Sequence, residues 1–527
     1  MRFLPVNLDS FLIELSDLKE TMLLFRHLQA SNHMAIVDMI PAAKTILVQF
    51  NPMIFAKEAL IDWITQQKLD SEVVVDGREI ILDVHYDGED LDSVAERIGL
   101  FRKELVHRHT EKDWQVAFIG FAPGFGYLVR SDLPFGSVPR LDSPRKKIPA
   151  GSVGLAGEYS GVYPKESPGG WQLIGRTQAQ MWDVNRESPA LLMPGNRIVF
   201  CDKTSNPVSV SVLKTLSKAN EIEPQSTPVL EVLKSGMQTL LQDAGRLKQF
   251  SLGVGIGGAL DQSAMHDANF CVGNPAHAAV LEILNGGFSV RILKPTVIAI
   301  TGAKSQIQVN YADNSKATLP SATAIALDTG DKLHILPPTH GLRNYLAIRG
   351  GIEAESILGS KGFDTLAELG TPPLKSTDRL YAANMPVQAV AVPNSTLPEL
   401  PKIGDVVELD IILGPRTDWF DEQSLDSLFN QTWEVSNEIN RIGLRLKGEK
   451  PLQRFIQHEL PSEGTCIGAL QVPPNGQPVL FMNDHPLTGG YPVIAAVANY
   501  HLDLVAQIPA GCSIRFKQIS VFMDQSL

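Results

Sequence analysis

Glycine and proline recur in clusters along the whole chain, and this punctuation most restricts what the sequence can fold into. The 42 Gly and 35 Pro separate short apolar runs, which predicts many turns and short strands rather than long helices. A helix bundle is therefore not expected. With 527 residues, 44% of them apolar, the chain is long enough for three or four domains of roughly 100–200 residues, each with its own core.

The net charge and the cysteine content restrict the binding partners and the cellular compartment that we expect for this protein. Lys and Arg number 46 against 58 Asp and Glu, a formal charge of −12, so we expect no nucleic-acid and no membrane partner. No segment approaches the roughly 18 consecutive apolar residues of a membrane-spanning helix. The N-terminus is acidic where a signal peptide would be apolar, and the four cysteines form no CxxC pair. We expect a cytoplasmic protein.

Residues 1–82 predict a small α+β domain of the split-βαβ type. Strands are expected at 11–14 and 45–50, and helices after Ser16, its expected N-cap, and over 55–66. The segment 73–81 contains Asp-Gly between apolar runs and predicts a hairpin.

The remainder predicts mainly β structure in two halves. Residues 83–213 are typical of a β-barrel with one helical stretch at 91–106, and the polar segment 214–228 predicts a linker. Residues 229–395 predict a β-rich domain with helices at 260–272 and 276–284. A proline-rich joint at 384–404 leads into a last barrel at 396–527.

The two halves end alike. Each ends with a Gly-rich turn, a Gly-Gly-aromatic loop and a closing strand of pattern G-x-x-I-x-F, at 195–200 and at 511–516. One interpretation is two unrelated β domains with the same turn chemistry. The other is a duplicated barrel whose equivalent loops meet at a shared cleft.

The first half carries a glycine-rich loop and a cationic segment that suit an anionic ligand. GFAPGFGYL at 120–128 follows a predicted strand, and glycines allow close ligand approach while aromatic side chains wall a pocket. Four cations follow within eight residues and precede another glycine-rich turn, a pattern that favours phosphate or carboxylate binding. A packed corner, a solvated loop or a structural arginine are the alternatives. The candidate binding residues are Gly124, Tyr127, Arg140, Arg145, Lys146, Lys147, Gly151, Ser152, Gly169, Gly170 and Arg176.

The second half carries a glycine-rich loop that leads into a helix, with Asp261 near its N-cap. Glu282 is either a buried acid or a residue on the exposed edge of the predicted helix. His266 is either a candidate for proton transfer or a structural histidine. Arg441 and Arg445, four apart, are expected on one side of a helix or a strand. The candidate catalytic residues are Asp261, Asp484 and His485, and the candidate binding residues are Arg246, Arg441, Arg445, Thr488, Gly489 and Gly490.

Several motifs are missing from the sequence. It contains no GxxxxGK[ST] loop, no GxSxG elbow and no HExxH pair, so serine and zinc hydrolysis have little support. Without a Met-Lys-Met type lysine loop we expect no covalently attached biotin. No metal ligands can be assigned from the sequence.

Taken together, these motifs resemble two known families. Residues 84–200, with GFAPGFGYL, PRLDSPRKKIPAGSVGLAG and SPGGWQLIGRT, resemble the family named for allophanate hydrolase subunit 1, which includes the B component of 5-oxoprolinase and a sporulation kinase inhibitor protein. Residues 229–527, with QDAGR, GVGIGGALD, NRIGLRLKG and TGGYP, resemble the family of allophanate hydrolase subunit 2, which includes the C component of 5-oxoprolinase. The chain looks like a fusion of both. It departs from the second family's pattern in the loop that follows residue 362, which puts any substrate contact there in doubt.

The resemblance implies cyclophilin-like β-barrels and ATP-dependent opening of 5-oxoproline to glutamate, with ATP and Mg²⁺ as cofactors and the separate A component of 5-oxoprolinase as partner. In that reaction the cations at 140–147 would hold phosphates, and Asp261 and Asp484 would handle a metal or a proton. The first alternative is a biotin-dependent carboxyltransferase acting on urea or a related amide. The second is a regulatory protein that binds a histidine kinase. A homo-oligomer is compatible with each.

Overall fold

The computed structural model describes residues 1–67, 77–141, 145–205, 227–393, 399–520 and 525–526. The predicted linker at 214–228 lies almost wholly outside the described residues. Over the part described, the fold is mainly β, with barrel-like sheets in both halves, as the sequence predicted.

The N-terminal unit is an antiparallel sheet covered by helices on one side. Its elements are β1 (Arg2–Asn7), β2 (Ser10–Glu14), α1 (Leu18–Ser31), β3 (Ile36–Pro41), β4 (Thr45–Phe50) and α2 (Lys57–Thr65). The strand order is β3-β4-β2-β1, so β2-α1-β3 is a split βαβ unit with β4 between its strands. The N-cap of α1 is Asp17, whose side chain accepts from the Glu20 amide, whereas Ser16 bonds the Glu20 carboxylate.

The second unit is a seven-stranded sheet that curls on itself. Its elements are β5 (Glu79–Val84), α3 (Leu91–Arg97), α4 (Arg102–Thr110), β6 (Trp114–Ile119), β7 (Gly126–Val129), β8 (Arg145–Ile148), β9 (Ser152–Ala156), β10 (Tyr159–Val162), β11 (Ser167–Gly169), β12 (Gln172–Arg176) and β13 (Arg197–Asp202). The order is β12-β9-β10-β7-β6-β13-β5, with β8 and β11 as a separate ribbon. A bridge between His85 and Arg176 joins the two edges.

The third unit consists of two sheets and one helix. Its elements are β14 (Leu230–Ser235), β15 (Gln238–Gln242), α5 (Gln262–Val272), β16 (Val280–Leu284), β17 (Phe288–Ile292), β18 (Thr296–Lys304), β19 (Ile307–Asn310), β20 (Lys316–Leu319), β21 (Ile325–Leu327), β22 (Lys332–Ile335), β23 (His340–Ile348) and β24 (Arg379–Leu380). Asp261 caps α5 as predicted, accepting from the Ala264 amide at 2.8 Å. The sheets are ordered β20-β19-β22-β17-β14-β24 and β15-β16-β23-β18-β21.

The fourth unit is a closed barrel. Its elements are β25 (Val406–Leu413), α6 (Glu422–Asn430), β26 (Trp433–Val435), β27 (Gly443–Lys447), β28 (Glu463–Gly464), β29 (Ala469–Gln471), β30 (Val479–Phe481), β31 (Thr488–Gly489), β32 (Val493–Val497), α7 (Leu502–Ala506) and β33 (Ser513–Ser520). The barrel order is β25-β32-β29-β30-β27-β26-β33, and β28 pairs with β31 outside it. A last strand, β34 (Gln525–Ser526), pairs with β1, so the chain returns to its first sheet.

The two barrels close in the same way. In each, the closing G-x-x-I-x-F strand pairs in parallel with the first strand of the barrel, β13 with β5 and β33 with β25. In each, a tryptophan after a helix donates its indole N–H to a carbonyl five residues earlier, Trp114 to His109 and Trp433 to Leu428. These matched features support duplication over two unrelated domains.

Four local predictions were wrong, the first being the N-cap of α1, which is Asp17 and not Ser16. The segment 276–284 forms strand β16 instead of a helix, because Val280, Leu281 and Ile283 are buried on both faces of a sheet and β-branched residues favour strands. The helix expected over 91–106 breaks at Gly99, whose φ of 71° ends α3. Residues 79–81 pair with β13 instead of closing a hairpin, so β5 crosses the predicted boundary at 82; residues 73–76 of that hairpin lie outside the described residues.

The interior of the first barrel contains a buried histidine that makes stability depend on pH. His109 lies between the Tyr86 hydroxyl at 2.7 Å and the Ser160 hydroxyl at 2.8 Å. Burial, helped by the Arg130 charge, lowers its pKa to about 3, below the roughly 6.5 of an unfolded chain. The neutral ring therefore stabilises the fold fully above pH 6.5, and this contribution is lost as pH falls toward 3.

We expect wild-type protein to lose up to about 1.4 kcal/mol of unfolding free energy per pH unit more than His109→Gln between pH 6 and 4. Urea denaturation at several pH values measures this difference. Equal slopes for the two proteins would show that His109 can be protonated in the folded barrel.

Across the described residues, no helix is both long and apolar enough to cross a membrane.

Candidate functional site

The glycine-rich loops of the two halves meet along a seam, which we define as loop 120–124 against residues 250–253 and 488–490. The Phe121 amide donates to the Thr488 hydroxyl at 2.8 Å, and the Gly124 amide donates to the Leu252 carbonyl at 3.0 Å. A Cβ on Gly120 would lie 2.7 Å from the Thr488 hydroxyl, so only glycine allows this approach. The seam brings together Gly124 and Thr488, candidates separated by more than 360 residues.

Arg140 lies at the edge of this seam. Its guanidinium donates to the Ser462 hydroxyl at 3.3 Å and lies where a Cβ on Gly490 would be. Arg140 is half-buried, and Ser462 is 5% exposed. A cation held beside two glycine-rich turns is suited to binding a carboxylate or a developing oxyanion.

The other predicted cations do not join Arg140 in one clamp. Arg145 pairs with Asp90 at 2.7 Å, and the exposed Lys147 pairs with Glu166 at 2.8 Å. Lys146 is exposed, and Arg176 pairs with Asp87 at 2.7 Å on the outside of the barrel. Arg140, Arg145 and Lys147 thus contact separate partners although they are close in sequence.

The glycine and aromatic candidates of the first barrel have structural contacts. Tyr127 is buried and stacks on Phe118 with ring centroids 4.4 Å apart. Gly151 has a φ of 80° and exchanges backbone bonds with Tyr163 and Thr177, while the adjacent Ser152 is buried. The Gly169 and Gly170 turn packs against the Tyr163 hydroxyl and accepts from the Leu141 amide.

Arg441 and Asp484 form the centre of a buried ion network. The Arg441 guanidinium makes two bonds of 2.9 Å to the Asp484 carboxylate and one of 2.6 Å to Glu282. Asp484 also accepts from the amide and hydroxyl of Thr365, so its oxygens are occupied. Glu282 is therefore the buried acid that the sequence left open. Burial alone would raise the pKa of Glu282, but the Arg441 and Arg343 charges outweigh it and hold this pKa below its usual value.

One expectation for the arginines is wrong, and the burial of Arg246 shows its structural contacts. Arg441 precedes β27 and is 2% exposed, whereas Arg445 lies within β27 and is exposed, so the two do not share a side. Arg246 is fully buried and donates to the carbonyls of Ile357, Gly362 and Leu369. Of these three carbonyls only that of Leu369 belongs to the loop after residue 362 that departs from the family pattern, so this loop contributes to enclosing Arg246.

Asp261 is also built into the fold. Besides capping α5 it accepts from the Gln507 side chain at 2.7 Å, and burial raises its pKa to about 7. It lies in the same buried region as Glu282. His266, by contrast, is exposed on α5.

His485 lines a cavity of about 120 Å³ between the N-terminal sheet and the last barrel. Its Nδ1 lies 2.8 Å from the Met482 carbonyl and its Nε2 lies 3.3 Å from the Thr465 carbonyl. Burial lowers the pKa of His485, so the ring is neutral near pH 7. The neutral ring donates its one N–H to one of these two carbonyls, and this bond holds it in the cavity wall. Gly489, in β31, pairs with Glu463 of β28.

A second cavity of about 250 Å³ lies at the other end of the same interface. It is charged: the Arg416 guanidinium bonds both oxygens of Glu463 at 3.0 Å and pairs with Glu14 at 2.7 Å. Ser462, the partner of Arg140, lines it too. Sequence reasoning missed both cavities. One sequence feature could have indicated these cavities: the apolar strands β2 and β4 have polar residues near their ends. These residues are Ser10, Glu14, Thr45 and Gln49.

The residues that the structure describes do not form a clear site for the nucleotide or the metal expected from the resemblance. Arg145 and Lys147 pair with carboxylates, so these two cations do not converge with Arg140 on one phosphate-binding site. Among the described residues, no group of three or more His, Cys, Asp or Glu side chains is arranged to hold a metal ion. We therefore derive no step through ATP or Mg²⁺ on this chain.

The fold has two barrels that close in a similar way and contact each other through glycine-rich loops. The protein therefore belongs to a class with two barrel-containing halves that pack on each other. The family model of the carboxyltransferase domain, subdomains A and B, matches residues 252–518, and that of subdomains C and D matches residues 1–192. The chain belongs to the carboxyltransferase domain family.

Similar proteins confirm the resemblance found in the motifs. The chain is 34% identical to the C component of 5-oxoprolinase from Escherichia coli K12 over 296 residues, which is 56% of this chain and 92% of that protein. It is 40% identical to the B component of 5-oxoprolinase from Escherichia coli O157:H7 over 174 residues, 31% of this chain and 77% of that protein. Urea amidolyase of Lachancea kluyveri is 30% identical over 322 residues, 56% of this chain but only 17% of that enzyme.

A solved structure covers both halves together. The crystal structure of TTHA0988 superposes with a TM-score of 0.80 at 28% identity, over 96% of this chain and 99% of that one. The arrangement of both halves in one chain is therefore shared with another protein.

Proposed function

We propose that this chain supplies the fused B and C components of an ATP-dependent 5-oxoprolinase, which converts 5-oxoproline, ATP and water into glutamate, ADP and phosphate together with a separate A component. One observation carries the proposal: a single chain aligns with 92% of a C component and 77% of a B component. The bond between Phe121 and Thr488 supports it, since it packs the two parts through their glycine-rich loops.

The seam offers this chain a defined role in the reaction. Arg140, held by Ser462 beside Gly490, is the charged group best placed to bind the carboxylate of 5-oxoproline. Oriented in this way, the same cation would stabilise negative charge that develops on the lactam oxygen. Nucleotide binding is assigned to the A component, because the cations at 145 and 147 are engaged elsewhere.

Reconstitution tests the proposal. The purified chain, mixed with a candidate A component, 5-oxoproline, ATP and Mg²⁺, is expected to release glutamate and ADP in equal amounts. Neither protein alone is expected to release glutamate. If the complete mixture forms no glutamate while the two proteins bind each other, the proposed reaction is wrong.

A carboxyltransferase acting on urea or a related amide is the second candidate, favoured by the family description and by the match to urea amidolyase. It needs biotin carboxylase and carrier domains in trans. Consumption of carboxybiotin that depends on urea, without glutamate release, would identify it. The kinase-regulator interpretation gains no support from these relatives.

A further inference from the structure

The cavity of about 120 Å³ at His485 lies where the N-terminal sheet crosses the last barrel. We call it the Ser10 cavity; Ser10, Gln49, Asp9, Phe250, Cys466 and His485 are among its lining residues. Ser10 and Gln49 are directly opposite each other on β2 and β4. On the same face, the Leu12 and Leu47 pair packs between this cavity and the charged one.

Two polar atoms in the described wall of this cavity lack a hydrogen-bond partner. Within the part of the chain that the structure describes, Ser10 Oγ and Gln49 Oε1 are buried and make no hydrogen bond. Ser10 is 2% exposed. Burying a polar group without a hydrogen-bond partner destabilises the fold, so two such groups on adjacent strands indicate a ligand or ordered water.

Several other polar groups of the wall already have hydrogen-bond partners. The Thr465 hydroxyl donates to the Pro486 carbonyl at 2.6 Å, and the Asn7 side chain donates to the Val497 carbonyl at 2.9 Å. The neutral His485 ring has one N–H, which donates to the carbonyl of either Met482 or Thr465. Ser10 and Gln49 therefore supply buried, unused hydrogen-bonding atoms next to the Asp9 carboxylate.

The acidic lining of the Ser10 cavity indicates which kind of ligand it can bind. None of its described lining residues is Lys or Arg, and Asp9 contributes a carboxylate. Gln49 Oε1 and Asp9 are acceptors, so an N–H donor is favoured and an anion is not. Its volume compares with about 30 Å³ for one water and about 150 Å³ for a cavity that binds benzene, so it suits a molecule of a few heavy atoms.

We propose that the Ser10 cavity binds a small neutral carboxamide. The ligand NH₂ donates to Gln49 Oε1 and faces Asp9, while the Ser10 hydroxyl donates to the ligand carbonyl. This site is separate from Arg140, which takes a carboxylate under the proposed function, and its occupancy does not depend on turnover. A failure to release glutamate would therefore leave this inference untouched.

Calorimetric titration of the full chain with acetamide tests it, with acetate as the matched anion of nearly the same shape. We expect saturable binding of acetamide in the millimolar range and at least tenfold weaker binding of acetate. Ser10→Ala and Gln49→Leu should each weaken acetamide binding about tenfold. Thr45→Val, which removes another buried unpartnered hydroxyl of β4 but in the charged cavity, should bind acetamide like wild type.

Stability separates a ligand site from a structural one. Because the Ser10 hydroxyl has no partner among the described residues, Ser10→Ala is expected to unfold at the same temperature as wild type or higher. Should Ser10→Ala fail to fold, Gln49→Leu provides the same comparison. The inference is overturned if acetamide shows no saturable binding, if acetate binds equally well, or if Thr45→Val weakens binding as much as the cavity variants.

Discussion

Arg441→Met is expected to lower the free energy of unfolding by about 3–5 kcal/mol, the cost of removing one partner from a buried ion pair. The substitution leaves Asp484, 1% exposed, and Glu282, 3% exposed, without their shared cation. It also removes the bond of 2.6 Å to the Gly258 carbonyl. These contacts connect β16, the loop before α5 and the last barrel, so the third and fourth units should loosen together.

The chain contains a matched control for this experiment. Arg445→Met removes the same side chain four residues later, on β27, where its pairing with Glu438 is exposed. We expect a change within about 0.5 kcal/mol, as for other surface substitutions. Chemical denaturation of the three proteins measures both effects. Equal losses for Arg441→Met and Arg445→Met would contradict the role assigned to the network.

Arg140→Met is expected to lower glutamate release in the reconstituted system by at least about 100-fold, the typical cost of removing a group that stabilises developing negative charge. The fold should persist, because Arg140 is only half-buried and its described partner is a single hydroxyl. Steady-state kinetics with the A component, together with a thermal melt, provides the measurement.

Two further variants make this result specific. Gly490→Ala should lower activity through Arg140 itself, since the added methyl overlaps a guanidinium that can move aside without disturbing the backbone. Arg176→Met removes an exposed arginine of the same barrel and should leave the rate unchanged. A rate for Arg140→Met close to that of Arg176→Met would remove Arg140 from the proposed site.

The sequence predicted the parts of the fold that local patterns determine. Strands β2 and β4, helix α5 with its Asp261 cap, and the repeated closing strands follow from periodicities and caps that act over a few residues. The segment 276–284 was misassigned because a short apolar run fits a buried strand and a helix equally well, and only its neighbours in the sheet distinguish them.

The candidate site was determined less by the sequence. The sequence places Arg140, Arg441 and Asp484 near glycine-rich turns. A sequence motif with an arginine and a carboxylate does not reveal whether the two side chains are buried or exposed to solvent. Tertiary packing decided between these possibilities: it buried Arg441 against Glu282, 159 residues away, and placed Arg140 beside a loop more than 300 residues later. Ser10 and Gln49 became a candidate pair only because the barrel covers their face of the sheet. Secondary structure follows from interactions between near neighbours, whereas the burial and pairing of a charge depend on which distant surfaces exclude water from it.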